Sequence, residues 1–388
     1  MKLLIYSHFF APSIGGVETI VLSLAGGLAE LRSANGAREF EVTVVTQTAK
    51  GDFDDGTLPF RVIRRPTFLQ LLRLICSSDI VHVAGPALAP VFLGLFARRP
   101  VVIEHHGFQT VCPNGQLLIE PQNAPCPGHF MAGRHGECLR CNSGQGWLLS
   151  WKLWLLTFVR RFLSAQVSVN ITPTQWLGGL LDLPRVTTVP HGLETGRVIH
   201  QAASSSHTPL IAFMGRLVTT KGTLLLLKAA KILQDQGRRF ALLIIGEGPE
   251  RSSLEQFVRD SQLAAPVRFA GRLYGDQLEA ALARVAAVVV PSLGGEVFGL
   301  VVAENMLRGL PVVASDLGAF VEVLGGKGLV FRTRDASDLA SALARLLDDP
   351  SVGVGLGQQA RRRALQSFSF SHMIDAHVCV YRGLYASR

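Results

Sequence analysis

Short, β-branched apolar runs recur along this chain with amphipathic stretches of helical length between them, and that alternation restricts the fold more than any other feature. The N-terminal run Met1 to Tyr6 is followed by Glu41 to Thr46, Ile80 to Val83, Val101 to Ile103 and Val167 to Ile171. Such runs suit strands buried on both faces of a parallel sheet, whose crossovers are helices. Between the first two, Val17, Ile20, Val21, Leu24, Leu28 and Leu31 recur at helical spacing and form one apolar face. The polar stretch His200 to Thr208 interrupts the pattern. A second series then runs through Leu210 to Met214, Ala241 to Ile245, Val267 to Ala270, Ala286 to Val290 and Val312 to Ala314. The expected fold class is α/β, with two doubly wound Rossmann-like domains facing across a cleft at the carboxyl ends of their strands. The expected boundaries are 1–199 with a cysteine-rich insertion at 107–146, a linker at 200–208, a second domain at 209–366, and a C-terminal helical segment at 367–388.

With 388 residues, 48% of them hydrophobic, the chain is long enough for two cores and too apolar to be disordered. The net charge of +9 suits nucleic acid, an anionic membrane surface or polyanionic substrates alike. No aromatic-rich RNA motif or helix-turn-helix pattern accompanies it, so nucleic acid is not expected. The apolar N-terminal run is too short for the core of a signal peptide. The lipophilic stretch Trp147 to Leu163 is interrupted by Lys152 and carries Arg160-Arg161, which argues against a spanning helix. A cytoplasmic location is expected, with peripheral contact at the cytoplasmic face of the membrane left open.

The residues suited to chemistry cluster at strand ends. Glu296 follows a turn, Pro291 to Gly295, that leads from a buried strand into a helix read to open at Phe298, and Glu304 is read to lie about two turns inside that helix. Two carboxylates beside helix N-terminal amides make a corner suited to sugars and phosphates. Ser13-Ile14-Gly15-Gly16 opens the first helix, where glycines allow close backbone approach to a phosphate. Gly215-Arg216-Leu217 with Lys221-Gly222 follows the first strand of the second series; its two cations suit a diphosphate, or form a solvated basic turn. Gly246-Glu247-Gly248-Pro249 is a tight turn that borders a base pocket or is structural.

The order Gly15-Gly16, His106-Gly107, Pro190-His191-Gly192, Gly215-Arg216 with Lys221-Gly222, Gly246 to Pro249, and Glu296-x7-Glu304 with Gly309 and Pro311 resembles the retaining GT-B glycosyltransferases of group 1, or family four. That family includes bacterial enzymes of lipopolysaccharide and phosphatidylinositol mannoside synthesis and the sucrose synthases. The resemblance implies a sugar transferred from a nucleotide-diphosphate donor to a glycan or lipid-linked acceptor, with the first domain taking the acceptor and the second the donor. It implies that Glu296 binds donor-sugar hydroxyls, that Glu304 binds the ribose, and that Phe298, Gly299, Leu300 and Val301 offer backbone amides to sugar and phosphate. Arg216 and Lys221 would grip the diphosphate, so no cofactor is expected for the transfer step, and Gly15 and Gly16 would approach the phosphates or the acceptor. His106 would orient the sugar near the reacting carbon, with His105 able to point into the fold. The C-terminal helix would cross back to the first domain. The usual asparagine of the Pro-x-Gly turn is His191 here, and Glu322 lacks a preceding proline. A nucleotide-sugar epimerase or phosphorylase of the same fold, or a non-catalytic nucleotide-sugar-binding scaffold, are the alternatives.

Two features fall outside the resemblance. Cys112, Cys126, Cys138 and Cys141 lie in a loop of about forty residues, a length that is uncommon unless the loop is pinned. Cys138-Leu139-Arg140-Cys141 has chelating spacing, and a structural zinc on the four thiols is expected, with free thiols or an iron-sulfur site as alternatives. Trp147, Trp151, Trp154 and Phe158 share one helical face beside Lys152, Arg160 and Arg161. That helix is either interfacial, at an anionic membrane, or a core helix of the first domain.

Overall fold

The computed structural model describes residues 1–13, 15–33, 35–120, 122–194 and 208–387. Its strands are β1 (Lys2–Ser7), β2 (Glu41–Thr46), β3 (Arg61–Arg64), β4 (Ile80–Ala84), β5 (Val101–Glu104), β6 (Leu118–Ile119), β7 (Ala124–Pro125), β8 (Val169–Thr172), β9 (Val186–Thr188), β10 (Leu210–Met214), β11 (Ala241–Ile245), β12 (Val267–Gly271), β13 (Val285–Val290), β14 (Val312–Ser315) and β15 (Leu329–Phe331). The chain divides into two compact units. One comprises 1–116, 127–192 and the C-terminal segment from Phe370; the other comprises 117–126 and 193–369. The first unit thus ends at Gly192 rather than at 199, the C-terminal helix starts at Phe370 rather than at 367, and part of the cysteine-rich insertion sorts with the second unit. The expected linker at 200–208 lies outside the described residues except for Thr208.

The first unit is built on a seven-stranded sheet ordered β3-β2-β1-β4-β5-β8-β9, parallel throughout. Central strands β4 and β5 are buried at every position, as strands covered on both faces must be. The helix Gly16–Glu30 lays Ile20, Val21, Leu24 and Leu28 on the sheet. The C-terminal helix Phe370–Ala386 belongs to this unit and buries Met373, Ile374, His377, Val378 and Tyr381. It comes so close to the helix Gly16–Glu30 that a Cβ on Gly27 would lie 2.6 Å from Ile374.

The second unit has a six-stranded parallel sheet ordered β12-β11-β10-β13-β14-β15. Phe213 of β10 lies opposite Ile244 of β11 and Val289 of β13. One face packs Phe213, Leu226, Leu233 and Phe240; the other packs Phe298, Val302, Met306, Phe320 and Phe368. In both sheets the order reverses beside the first strand of its series, and ligands of such sheets bind outside the carboxyl ends at that reversal. In the second unit this point lies between β10 and β13.

The cysteine-rich insertion is not the structureless loop expected. It holds the antiparallel pair β6-β7, the helix His135–Asn142 and a turn at Ser143–Gln145. Next comes the tryptophan helix, Trp147–Gln166, whose inward residues are Ser150, Thr157 and Ser164. Small hydroxyl residues face the protein and large apolar ones face out. Leu148 is 90% exposed, and Trp151, Leu155 and Phe162 are exposed with it. Of the expected Trp147-Trp151-Trp154-Phe158 face, Trp147, Trp151 and Phe158 are exposed, while Trp154 is half-buried against His135.

Candidate functional site

The strand ends flanking the reversal in the second sheet carry most of the candidate residues. After β10 the chain passes Gly215, Arg216 and Leu217, makes a tight turn at Thr219–Lys221 and enters the helix Thr223–Asp235. Leu217 is fully buried and anchors this loop, while Arg216 is exposed and makes no ion pair among the described residues. Backbone bonds tie the loop to its neighbours: Gly215 N–H donates to Ile245, Leu217 N–H to Glu247, and Leu293 N–H to the Thr220 carbonyl. Gly246 belongs to this framework, since a Cβ there would meet the Gly215 carbonyl oxygen at 1.8 Å. Its N–H donates to Gly271.

After β13 the loop 291–299 reaches the helix Leu300–Arg308. That helix starts later than the expected Phe298, because Gly299 adopts a left-handed φ of 93° as its N-cap, a conformation glycine tolerates. Glu304 therefore sits just over one turn into the helix, not two. No side chain caps the N-terminus, so the amides there keep the partial positive charge of a helix start. Phe298 is buried, its ring set edge-on to Phe368 at 5.3 Å, which leaves its backbone as the part suited to a ligand.

Lys221 and Glu296, one from each loop, meet at 2.5 Å, and Ser292 donates to the same carboxylate oxygen at 3.0 Å. Ser292 is held in turn by Ser315, whose hydroxyl donates to its carbonyl. Glu304 lies 3.8 Å from Arg308, a nearly buried guanidinium that Glu279 binds at 2.8 Å. Reading by motif missed Arg308 and Glu279. The spacing of four between Glu304 and Arg308 was the one signal available for them.

The remaining candidates belong to the first unit. Gly15 is the N-cap of the helix that begins at Gly16, with Glu18 in its first turn. The paired histidines after β5 separate cleanly. His105 is fully buried and bonds Asn170 at 2.9 Å, and burial lowers its imidazole to about 4. His106 stacks on His191, ring centres 5.3 Å apart, and its Nε2 lies 3.6 Å from Glu104. Burial pushes His106 down, and it lowers His191 to about 3, so both are neutral near pH 7. Burial alone would raise the Glu104 carboxyl, but the imidazoles of His106, His377 and His82 outweigh it and hold the group well below the usual carboxylate range. Glu104 had no sequence signal as a site residue.

The four candidate metal thiols do not share one unit: Cys112, Cys138 and Cys141 lie in the first and Cys126 in the second. None is in a disulfide. Asn114 links two of them, with Cys112 Sγ 2.9 Å from its Oδ1 and Cys141 Sγ 3.6 Å from its Nδ2.

The family described as "Glycosyl transferases group 1" matches residues 208–349, which lie in the second unit. A 2-deoxystreptamine glucosyltransferase of Streptomyces kanamyceticus is 31% identical over 42% of this chain; the chain spans 43% of that relative's length. A GDP-mannose-dependent α-(1-6)-phosphatidylinositol monomannoside mannosyltransferase of Mycolicibacterium smegmatis is 27% identical over 95% of each chain. Among solved structures, a sucrose-phosphate synthase of Thermosynechococcus elongatus covers 100% of both chains with a TM-score of 0.75 at 19% identity, a likeness of fold. With its paired Rossmann-like units the chain has the GT-B fold of such structures, and its second unit carries both the match to the group 1 glycosyltransferases and the Glu296-x7-Glu304 corner.

Proposed function

We propose that the protein is a retaining glycosyltransferase that moves a sugar from a nucleotide-diphosphate donor to a lipid-linked or glycan acceptor in cell-surface polysaccharide or glycolipid synthesis. The observation that carries this reading is the Lys221–Glu296 contact at the strand-order reversal, beside a helix N-terminus without a side-chain cap. The exposed Arg216 and the ammonium of Lys221 supply positive charge where a diphosphate leaving group gains negative charge, so the transfer step needs no divalent metal. The amides of Gly299, Leu300 and Val301 add partial positive charge at the same corner. Glu296, oriented by Lys221 and Ser292, accepts hydrogen bonds from the donor sugar, and Glu304, set by Arg308, accepts them from the ribose. His106 assists in the first unit as a neutral hydrogen-bonding group.

The outward face of the tryptophan helix supports a membrane-borne acceptor. Phe68, Leu69, Phe92 and Phe96 on the two neighbouring helices are exposed as well, so three helices of the first unit present bulky apolar side chains. Lys152 lies on the tryptophan helix and Arg65, Arg98 and Arg99 at the ends of its neighbours. Aromatic and aliphatic groups with basic neighbours suit an anionic bilayer surface, here the cytoplasmic face. Among the described residues no helix is long and apolar enough to cross a membrane, which fits surface attachment.

The test is nucleoside-diphosphate release from a panel of nucleotide sugars, with and without lipid and glycan acceptors. Acceptor-dependent release supports transfer. Turnover of a donor to an isomer without release, or consumption of orthophosphate, would point to the epimerase or phosphorylase reading.

A further inference from the structure

The first unit buries a carboxylate between His106 and His191 on one side and two further imidazoles, His82 and His377, to which the proposed donor chemistry gives no role. Glu104 ends β5, His82 sits in the middle of the adjacent β4, and His377 and Tyr381 project one turn apart from the C-terminal helix. All four residues have 0% exposure. His82 Nε2 is 3.2 Å from Glu104 Oε2, and His377 Nε2 is 3.7 Å from the same oxygen. The other carboxylate oxygen, Oε1, accepts no hydrogen bond. A carboxylate so deep in a protein requires hydrogen bonds or a positive charge to compensate it.

The hydrogen bonds of the two histidines say where that charge belongs. His377 Nδ1 lies 2.9 Å from the Met373 carbonyl oxygen and must carry the proton it donates there. A neutral His377 then aims the lone pair of Nε2 at Glu104, and this nitrogen has no hydrogen-bond partner. His82 differs in that its Nε2 is within hydrogen-bond reach of Glu104 Oε2 at 3.2 Å, while its Nδ1 lies 2.9 Å from the Tyr381 hydroxyl, an outer bond of the same kind as that of His377. Histidines that ligate metals use one ring nitrogen for the ion and fix the other by such an outer bond. The spacing agrees. Ligands about 2.0–2.1 Å from a tetrahedral zinc lie roughly 3.4 Å from one another, and the two contacts to Oε2, 3.2 and 3.7 Å, bracket that value. The three ligand atoms lie within 4.8 Å of one another.

We propose that His82, Glu104 and His377 form a buried site for a divalent transition metal, zinc by preference, with Tyr381 and the Met373 carbonyl as its outer shell. Two nitrogens and a carboxylate oxygen suit zinc, and a fully enclosed position suits a structural ion. Such an ion would pin the C-terminal helix to the centre of the first sheet, joining elements that lie 299 residues apart at the His82–Tyr381 bond. The binding free energy would add to the stability of the unit.

The test is X-ray absorption on the full-length chain carrying Cys138→Ser and Cys141→Ser, stripped with chelator and reconstituted with zinc alone. The expected result is one zinc per chain with a nitrogen and oxygen shell at about 2.0 Å, distinct from thiolate at about 2.3 Å. His377→Ala should abolish this shell. Tyr381→Phe keeps every ligand and should weaken zinc about 10- to 100-fold, which provides a readout if the first variant fails to fold. No zinc uptake, or the same shell and affinity in both variants, would overturn the assignment.

Discussion

Lys221 and Glu296 stand 75 residues apart in the chain and share a contact of 2.5 Å, so each fixes the other's position at the donor corner. If the pair acts as a unit, Lys221→Ala and Glu296→Ala should each lower kcat/KM by about 10²–10³, and the double variant should lose little more. Steady-state kinetics on the three proteins measures this; multiplicative losses would mean independent roles. Gly222 beside them has a φ of 70°, and a Cβ would come 2.0 Å from the Pro291 carbonyl oxygen. Gly222→Ala is accordingly expected to destabilise by about 1–3 kcal/mol, read as a lower denaturation midpoint. Both carboxylates and both cations of this corner were legible as residues, since the motif spacing displays them. Their pairing was not, because nothing local brings two loops together. Glu104 was invisible for the same reason: its partners His82 and His377 come from a different strand and from the far end of the chain.

At the scale of elements, strands read well and helix faces poorly. The apolar runs at β2 and β10 coincide with the observed strands, because burial on both faces demands an uninterrupted apolar stretch. The start of the helix Leu300–Arg308 was misplaced, since it depends on the φ of Gly299. The tryptophan helix is apolar around much of its circumference, so periodicity could not tell which face packs; Ser150, Thr157 and Ser164 turned out to face inward. If the outward face meets a bilayer, Trp151→Ser and Phe162→Ser should each reduce binding to anionic vesicles about tenfold or more. Flotation measures this, and binding unchanged in both would remove the helix from the interface. The C-terminal helix is tied to the first unit at its surface as well, where Arg382 grips Glu39 through bonds of 2.8 and 2.9 Å. The Arg382 hydrogen bond lowers the Glu39 carboxyl below its ordinary value against the opposing effect of burial. A lowered carboxylate stabilises the fold above its unfolded value and loses that contribution as pH falls through the folded one. The melting temperature of Arg382→Ala should therefore trail wild type slightly at pH 6, and the gap should close on acidification toward pH 3. A gap that persists there would mean that packing, not charge, accounts for it.

For the whole molecule, the two series of strands predicted two Rossmann-like sheets, and two are present, each with the order reversal that makes a ligand site. The unit boundaries were less legible. Segment 117–126 and the helix from Phe370 each sort with the unit other than that of their sequence neighbours, a consequence of packing that composition does not record. The region matching the glycosyltransferase family begins at 208 and lies within the second unit, which also holds the Lys221–Glu296 corner. Binding of a nucleotide-diphosphate sugar by this unit can be measured by calorimetric titration of the full chain with UDP, GDP, ADP and dTDP. Saturable binding of at least one of them is expected, weakened by about tenfold or more in Lys221→Ala. Binding of none, or equal binding by the variant, would contradict it.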